Sequence, residues 1–423
     1  MQGVFTLHNT VQEYAWGSRS SIPELLDRPS PAERPQAELW MGAHPKAPSR
    51  VLSAEGGEIS LAELIARDPV FVLGRGVAEK FANRLPFLFK VLAAARPLSI
   101  QAHPNLEQAR AGFRKENESG IPLDAFQRNY RDDNHKPEAI SALTPFWALN
   151  GFRRIPEMIE LLGSVGFSSI GKLVAAFQGN PSEAGLKAFF AALMALDRET
   201  RERAIREALG WAEGRLDEQS REQLHERSQP RGGSVPGIAV PRVAVPRWLL
   251  RLADLYPGDI GVLSPLLLNL LLLQPGDTMF LEAGVLHAYL EGTGIELMAN
   301  SDNVIRGGLT PKHMDVEELL SILRFQGSSI TLAEAEEPVP GLRVFRTPAA
   351  EFRLAEIHVR PDRPYRNPGS GSIEVMIVVQ GEGRIEAPDS LAIAKGVSLL
   401  IPACTGSYTI QGSLHLYRAD VPL

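Results

Sequence analysis

The sequence predicts a mainly β fold interrupted by a helical insertion. Three observations carry this. Short apolar or alternating runs, bounded by Gly, Pro and Asn turns, fill the first 150 residues and return after about residue 255. From about 151 to 225 the period becomes helical, in segments rich in Ala, Leu, Glu and Arg. The last ninety or so residues alternate strands and turns at the spacing of a small sandwich or jelly roll.

The elements follow in order. PFLFKVLAAA (86–95) and SIQAH (99–103) read as strands, and ISLAELIARD (59–68) as a helix with Ser60 at its N-cap. PEMIELLGSV, GLKAFFAALMAL and RETRERAIREALGWAEGRL read as helices. Leu186, Phe189, Phe190, Leu193 and Leu196 recur at helical spacing as core. QPRGGSVPGIAVPRVAVPR (229–247) is Gly-, Pro- and Arg-rich, and its proline spacing forbids a regular helix; it reads as a surface loop or extended connection. The apolar stretch around IGVLSPLLLNLLLLQPGD is broken by Ser264, Pro265 and Asn269, falls short of the ~20 residues of a membrane span, and reads as buried core. Strands then resume in LLLLQPGDTMFLEAGVLHAYLEG, VEELLSIL reads as a short helix, and five strand-like runs close the chain.

Composition bounds the function. The chain has 423 residues, 44% hydrophobic and 22% charged, enough for two or three domains at ~150 residues each. A net charge of −6 argues against a general nucleic-acid binder, which would carry a basic stripe. One cysteine, Cys404, excludes an internal disulfide and a thiolate zinc site, and fits a cytoplasmic location. The start lacks a basic region followed by an apolar one, so no signal peptide is read.

Three islands of polar residues sit beside apolar strands. In LSIQAHPN (98–105), alternation puts Gln101 and His103 on one face, where burial costs free energy unless something bonds them. RDDNHKPEAI (131–140) crowds charged and amide groups ahead of a strand. The third, residues 275–313, contains PGD-x5-AG-x2-H, similar to the turn-and-ligand pattern of the cupin jelly roll. Gln101, His103, Glu138 and His287 together offer one amide oxygen, two imidazoles and a carboxylate, a donor set suited to a catalytic Zn²⁺. Singly, each would pass for a hydrogen-bonded core histidine or a paired carboxylate; jointly they point to a metal. His8, His44, His135 and His313 stand nearer the islands as supporting groups.

YAWGS (14–18), AELWMGAHPKAPS (37–49), LPFLFKVL (85–92), LSIQAHPN, DDNHKPE (132–138) and GVLHAYLEGTGIELMANSDNVIRGGLTPKH (284–313) resemble type I phosphomannose isomerases. The resemblance implies cupin-type jelly rolls: a catalytic one from 1–150 with 255–330, a helical domain inserted at 151–254, and a metal-free one at 331–423. It also implies one Zn²⁺ per chain and interconversion of mannose 6-phosphate and fructose 6-phosphate through a cis-enediol. A monomer acting on a small sugar phosphate is expected, with no nucleic-acid or membrane partner. Gln101, His103, Glu138 and His287 match the zinc ligands, and Arg306 an active-site arginine. Lys136, Glu296, Tyr289 and Asp302 match pocket residues, and Lys90, Ser99 and Lys312 phosphate-holding positions. Trp16 and Tyr289 are expected to pack against the sugar or line its wall. Glu296 is the first choice of base, Lys136 the second and a hydroxide on the metal the third. The second roll lacks a histidine pair where ligands would stand, and Cys404 is expected to be buried and inert. A degenerate sugar-phosphate sensor would have lost these ligands. An Fe(II) dioxygenase would need neither the glutamine nor Lys90, Lys312 and Arg306 together.

Overall fold

The structure, a computed structural model, describes residues 3–52, 57–225 and 244–423. Two antiparallel sheets dominate. The ten-stranded sheet orders Leu268–Leu273, Phe146–Phe152, His287–Ala299, Phe87–Ala94, Glu38–Gly42 and Thr10–Gln12; Ile100–Ala102, Glu138–Ala142, Thr278–Leu281 and Ile305–Gly308 join off this path. The nine-stranded sheet is centred on two 13-residue strands, Glu374–Glu386 and Tyr408–Asp420. The architecture is a mainly β, cupin-type fold with helices, as expected.

One strand organises the first roll. His287–Ala299 pairs through its first half with Phe146–Phe152 and Gln101, and through its second half with Phe87–Ala94 and Glu138–Ala142. It changes partners near Gly292, where φ is +134° and an added Cβ would lie 2.7–2.8 Å from Phe146 and the Pro145 carbonyl. Only glycine fits such a corner, and the corner turns one sheet into a roll.

Alternation then assigns the faces. Phe87, Phe89, Val91 and Ala93 pack with Ala139, Ile295 and Leu297 against Phe352, Leu354, Val375, Ile377 and Tyr417 of the second sheet. Intervening positions turn the other way: Leu92 and Ala94 join Ile140, Ala142 and Tyr289 inside the first roll. Lys90, Glu138 and Glu296 share this inward parity, so the strands that carry the polar groups are held by apolar contacts on their reverse side.

Helices Ile155–Val165, Gly171–Gly179, Glu183–Met194, Arg198–His225 and Ala244–Leu255 lie in sequence between the Phe146–Phe152 and Leu268–Leu273 strands. Leu186, Phe189, Phe190 and Leu193 are buried as their spacing predicts, with Leu196 packed at the edge of the same core. Ser60 caps Leu61–Arg67 in a capping box with Glu63. The Ile260–Leu273 region is buried at almost every position, and no helix among the described residues is long and apolar enough to cross a membrane.

Three features depart from the sequence reading. Residues 244–247 open a helix, because Pro246 falls in its first turn, where no amide donor is needed; the rest of the Pro/Gly-rich segment, through residue 243, lies outside the described residues. Phe5–Thr6, grouped by sequence with the first roll, pairs with Ser398–Ile401 in the second. Cys404 is exposed, in a 3₁₀ turn rather than in the core.

Candidate metal centre

His103 follows the Ile100–Ala102 strand, His287 opens the long strand, and Glu138 opens the strand after the NHKP turn. Strand pairing brings them together. Glu138 Oε2 lies 3.4 Å from His103 Nε2 and 3.3 Å from His287 Nε2, and all three side chains are at most 2% exposed. Each imidazole donates Nδ1–H to a backbone carbonyl: His103 to Asn303 at 2.7 Å, His287 to Val285 at 3.1 Å. Those bonds fix the tautomers and leave both Nε2 atoms as bare acceptors.

His103 Nε2, His287 Nε2 and Glu138 Oε2 are therefore three buried acceptors aimed at one point, each without a hydrogen-bond partner among the described residues. Three lone pairs cannot satisfy one another, and buried polar atoms left unpaired cost about 1–3 kcal/mol each. A divalent cation between them removes that penalty, so the residues fit a metal. Burial, the largest influence, pushes the His103 imidazolium pKa down to about 4, which keeps the ring neutral, as ligation requires. Burial alone would raise the Glu138 carboxyl; the Lys136 ammonium, whose Nζ stands 3.1 Å from Oε1, overcomes it and holds the group well below the usual range.

Gln101 is the neighbour of this trio. It pairs across the sheet with His287 on one side and Arg306 on the other. Directly paired residues share a face, so Arg306, Gln101 and His287 form one cross-strand row. Ser99, two residues before Gln101, has the same parity and is partly buried.

A second buried set adjoins the first. Lys90 Nζ lies 2.8 Å from Glu296 Oε2 and 3.4 Å from Glu38 Oε1, and Trp40 Nε1 donates to the other Glu38 oxygen at 2.8 Å. Cross-strand register sets this: Lys90 pairs with Glu296 on one side and Trp40 on the other. Lys90, expected beside a phosphate, has its charge already matched by two carboxylates at 5% exposure. Burial followed by the charges of Glu138 and Glu38 raises the Glu296 carboxyl, with Lys90 opposing. Tyr289 is 1% exposed and packs edge-on to Phe146, so it lines a wall, and burial raises its hydroxyl well above the ordinary value.

The rim is cationic. Burial, then the like charge of Arg131, lowers the partly buried Arg306; burial, then Arg306 and Arg131, lowers Lys312. Among the described residues none of these three cations is ion-paired to a carboxylate, so their charge is uncompensated. Asp302 instead faces Lys46 at 2.7 Å and His44 at 3.6 Å, and although burial opposes it, these bonds hold its carboxyl far below the usual range. Trp16 is partly buried against the Leu92–Tyr289 cluster, beside Tyr14. Of the expected supporting histidines, only His44 reaches this region through Asp302. His8 pairs with Glu58 and His135 with Glu351, while His313 lies against Phe126.

Three groups at the site escaped the sequence reading. Arg131 opens the RDDNHKPEAI island but carries no assigned role in the sequence reading. Glu38 was hidden in an apolar strand, although a carboxylate inside ELWMG was itself a signal. Asn303 is fully buried; its side chain accepts from the Arg131 and Asp132 amides and donates to the Asp132 and Asn134 carbonyls, while its own carbonyl orients His103.

Comparisons with known proteins identify the family. Residues 4–155 match the model of the phosphomannose isomerase type I catalytic domain. Mannose-6-phosphate isomerase of Escherichia coli K12 is 39% identical over 415 residues, covering 97% of this chain and 98% of that protein. The Homo sapiens protein of the same name is 35% identical, covering 89% and 88%. A crystal structure of zinc-bound mannose 6-phosphate isomerase superposes with a TM-score of 0.86 at 36% identity, over 99% of this chain and 100% of that one. A lysine-to-alanine variant of the Salmonella typhimurium enzyme gives a TM-score of 0.87. The chain belongs to the type I phosphomannose isomerase family of isomerases.

Proposed function

We propose that this protein interconverts D-mannose 6-phosphate and D-fructose 6-phosphate through a cis-enediol, with one Zn²⁺ held by Gln101, His103, Glu138 and His287. The observation that carries the reading is the trio of orphaned buried acceptors beside an unpaired cationic rim. When bound, the ion supplies Lewis-acid stabilisation of the negative charge that develops on O1 and O2.

The chain's own groups do the rest. Arg131 and Lys312, with Ser99, receive the phosphate, whose binding energy orients the distant reacting carbons. Arg306, permanently charged, stands in the ligand row and stabilises charge on the sugar oxygens. Glu296 takes the proton from C2 of the aldose and returns it to C1, while the O2 proton passes to O1, leaving a hydroxyl on C1 and the ketone at C2. A base must hold its proton neither too weakly nor too strongly. Burial raises the Glu296 carboxyl above its ordinary value, with Lys90 opposing, the direction a base needs. Lys136 is the weaker candidate, because its ammonium is paired to Glu138. Trp16 and Tyr289 shape the wall that excludes water, and Asp302 fixes the Lys46 and His44 flank.

A coupled assay on mannose 6-phosphate, with metal analysis of the purified protein, tests the reading. Chelation should abolish turnover and Zn²⁺ should restore it. Glu296→Gln should remove turnover while retaining metal. Chelator-resistant turnover would overturn the metal assignment, and near-normal turnover in Glu296→Gln the base assignment.

A further inference from the structure

The outer face of the second roll carries another convergence of imidazole and carboxylate. Strands Arg353–Val359 and Tyr408–Asp420 run antiparallel with His358 opposite His415 and Glu356 opposite Tyr417. Partners across a pair share a face, and so do residues two apart, so all four side chains project to one side. The alternate residues Ala355, Ile357, Val359, Leu414 and Leu416 fill the roll's interior.

On the outer side, His415 Nε2 lies 2.8 Å and His358 Nε2 3.1 Å from the same oxygen, Glu356 Oε1. The two rings stack with centroids 4.2 Å apart and 18° between planes. The three candidate donor atoms lie within 4.8 Å of one another. This repeats the arrangement of the first site, where two Nε2 atoms approach one carboxylate oxygen at 3.3 and 3.4 Å. The sequence reading expects a metal-free second roll; a metal on this outward-facing set revises that expectation.

We propose that Glu356, His358 and His415 form a second divalent transition-metal site, selective for imidazole-favouring ions such as Zn²⁺ and Ni²⁺. Two imidazoles and one carboxylate suit those ions and leave positions open to water. The half-exposed His358 gives access from solvent, while Glu356, buried and ion-paired to Arg343, fixes the carboxylate. The Arg343 charge cancels that of Glu356. Ca²⁺ and Mg²⁺, which depend on several oxygen donors and on carboxylate charge, are thereby disfavoured. The site adjoins the seam between the rolls: Tyr417 Oη stands 3.4 Å from Glu356 Oε1 and 3.2 Å from Ser141 Oγ, on the strand that Glu138 opens.

The test counts metal. Full-length protein is equilibrated with Zn²⁺ buffered at micromolar free concentration, and bound zinc per chain is measured by plasma mass spectrometry. His358→Ala and His358→Val, neither of which can ligate, are compared with wild type; both sit at an exposed strand position outside the isomerase site, and circular dichroism checks their fold. Both should hold one equivalent fewer than wild type, with kcat/KM for mannose 6-phosphate unchanged. A Co²⁺ titration should show a second set of visible bands in wild type, needing at least ~10–100-fold more Co²⁺ in the variants. The comparison is a difference between proteins, so it stands whatever the first site binds. Equal zinc in wild type and a folded His358 variant would overturn the proposal and leave the cluster a hydrogen-bonded set.

Discussion

Replacing Lys90 with Met removes the one cation between two buried carboxylates. Lys90, Glu296 and Glu38 are 5%, 3% and 7% exposed, and the ammonium stands 2.8 and 3.4 Å from the two oxygens. Breaking a buried pair by removing one partner costs about 3–5 kcal/mol, because the remaining charge is left uncompensated. At ~2.1 cal/mol/K per residue, 423 residues give an unfolding entropy of about 0.9 kcal/mol/K, so Tm should fall by ~3–6 °C at pH 8. The loss depends on pH, with a definite sign. Glu296 is already raised by burial, and without Lys90 it rises further. A carboxyl whose folded pKa exceeds its unfolded value costs nothing when both states are protonated, and costs progressively more as pH rises through that interval. Each pH unit across it is worth up to ~1.4 kcal/mol. The Tm deficit should therefore shrink to half or less at pH 5.5. Thermal scans of chelated wild type, Lys90→Met and Lys90→Met/Glu296→Gln at both pH values make the measurement. The double variant, having lost the stranded charge, should recover ~1–3 °C at pH 8. A deficit equal at both pH values, with no recovery in the double variant, would refute the electrostatic account and leave only lost packing.

Other consequences are open to simpler assays. Arg131→Ala and Lys312→Ala should raise KM for mannose 6-phosphate by about tenfold each, at ~1–2 kcal/mol per charge-assisted contact, with an effect that narrows as salt rises; an unchanged KM at low salt would remove them from the phosphate site. Asn303→Ala strips partners from the Arg131 and Asp132 amides and the Asp132 and Asn134 carbonyls, and should weaken zinc binding ~10–100-fold through the displaced Lys136 turn; competition with a chromogenic chelator reads this directly. Saturating Zn²⁺ should raise the Tm of wild type in proportion to ~4 kcal/mol at a thousandfold excess over Kd, and His287→Ala should lose most of that increment in differential scanning fluorimetry.

Much of the site was legible because its signals are local. LSIQAHPN shows by two-residue alternation that Gln101 and His103 share a face, and the structure extends that face across the sheet to His287 and Arg306. PGD-x5-AG-x2-H marks a turn, a strand and a second turn ahead of His287, and those elements are present at Thr278–Leu281 and His287–Ala299. Lys90 was harder, since nothing in FLFKVLAA tells a lysine offered to a ligand from one matched by carboxylates 52 and 206 positions away. Cys404 was misread because apolar flanks suggest burial, whereas the chain turns outward there in a short 3₁₀ helix. The His358–His415 pair was equally invisible, since 57 residues separate two histidines that become direct cross-strand neighbours.

The sequence by itself determined which residue types each strand offers to which face, because side-chain direction along a strand depends only on its immediate neighbours. It also determined that the polar islands must find partners, because burying them unpaired is costly. The tertiary structure alone decided which islands meet, that Lys90 is enclosed by Glu38 and Glu296, and that the second roll covers the apolar backs of the strands carrying the site. Those outcomes depend on strand register and sheet packing between segments hundreds of residues apart, and no local pattern encodes such distances.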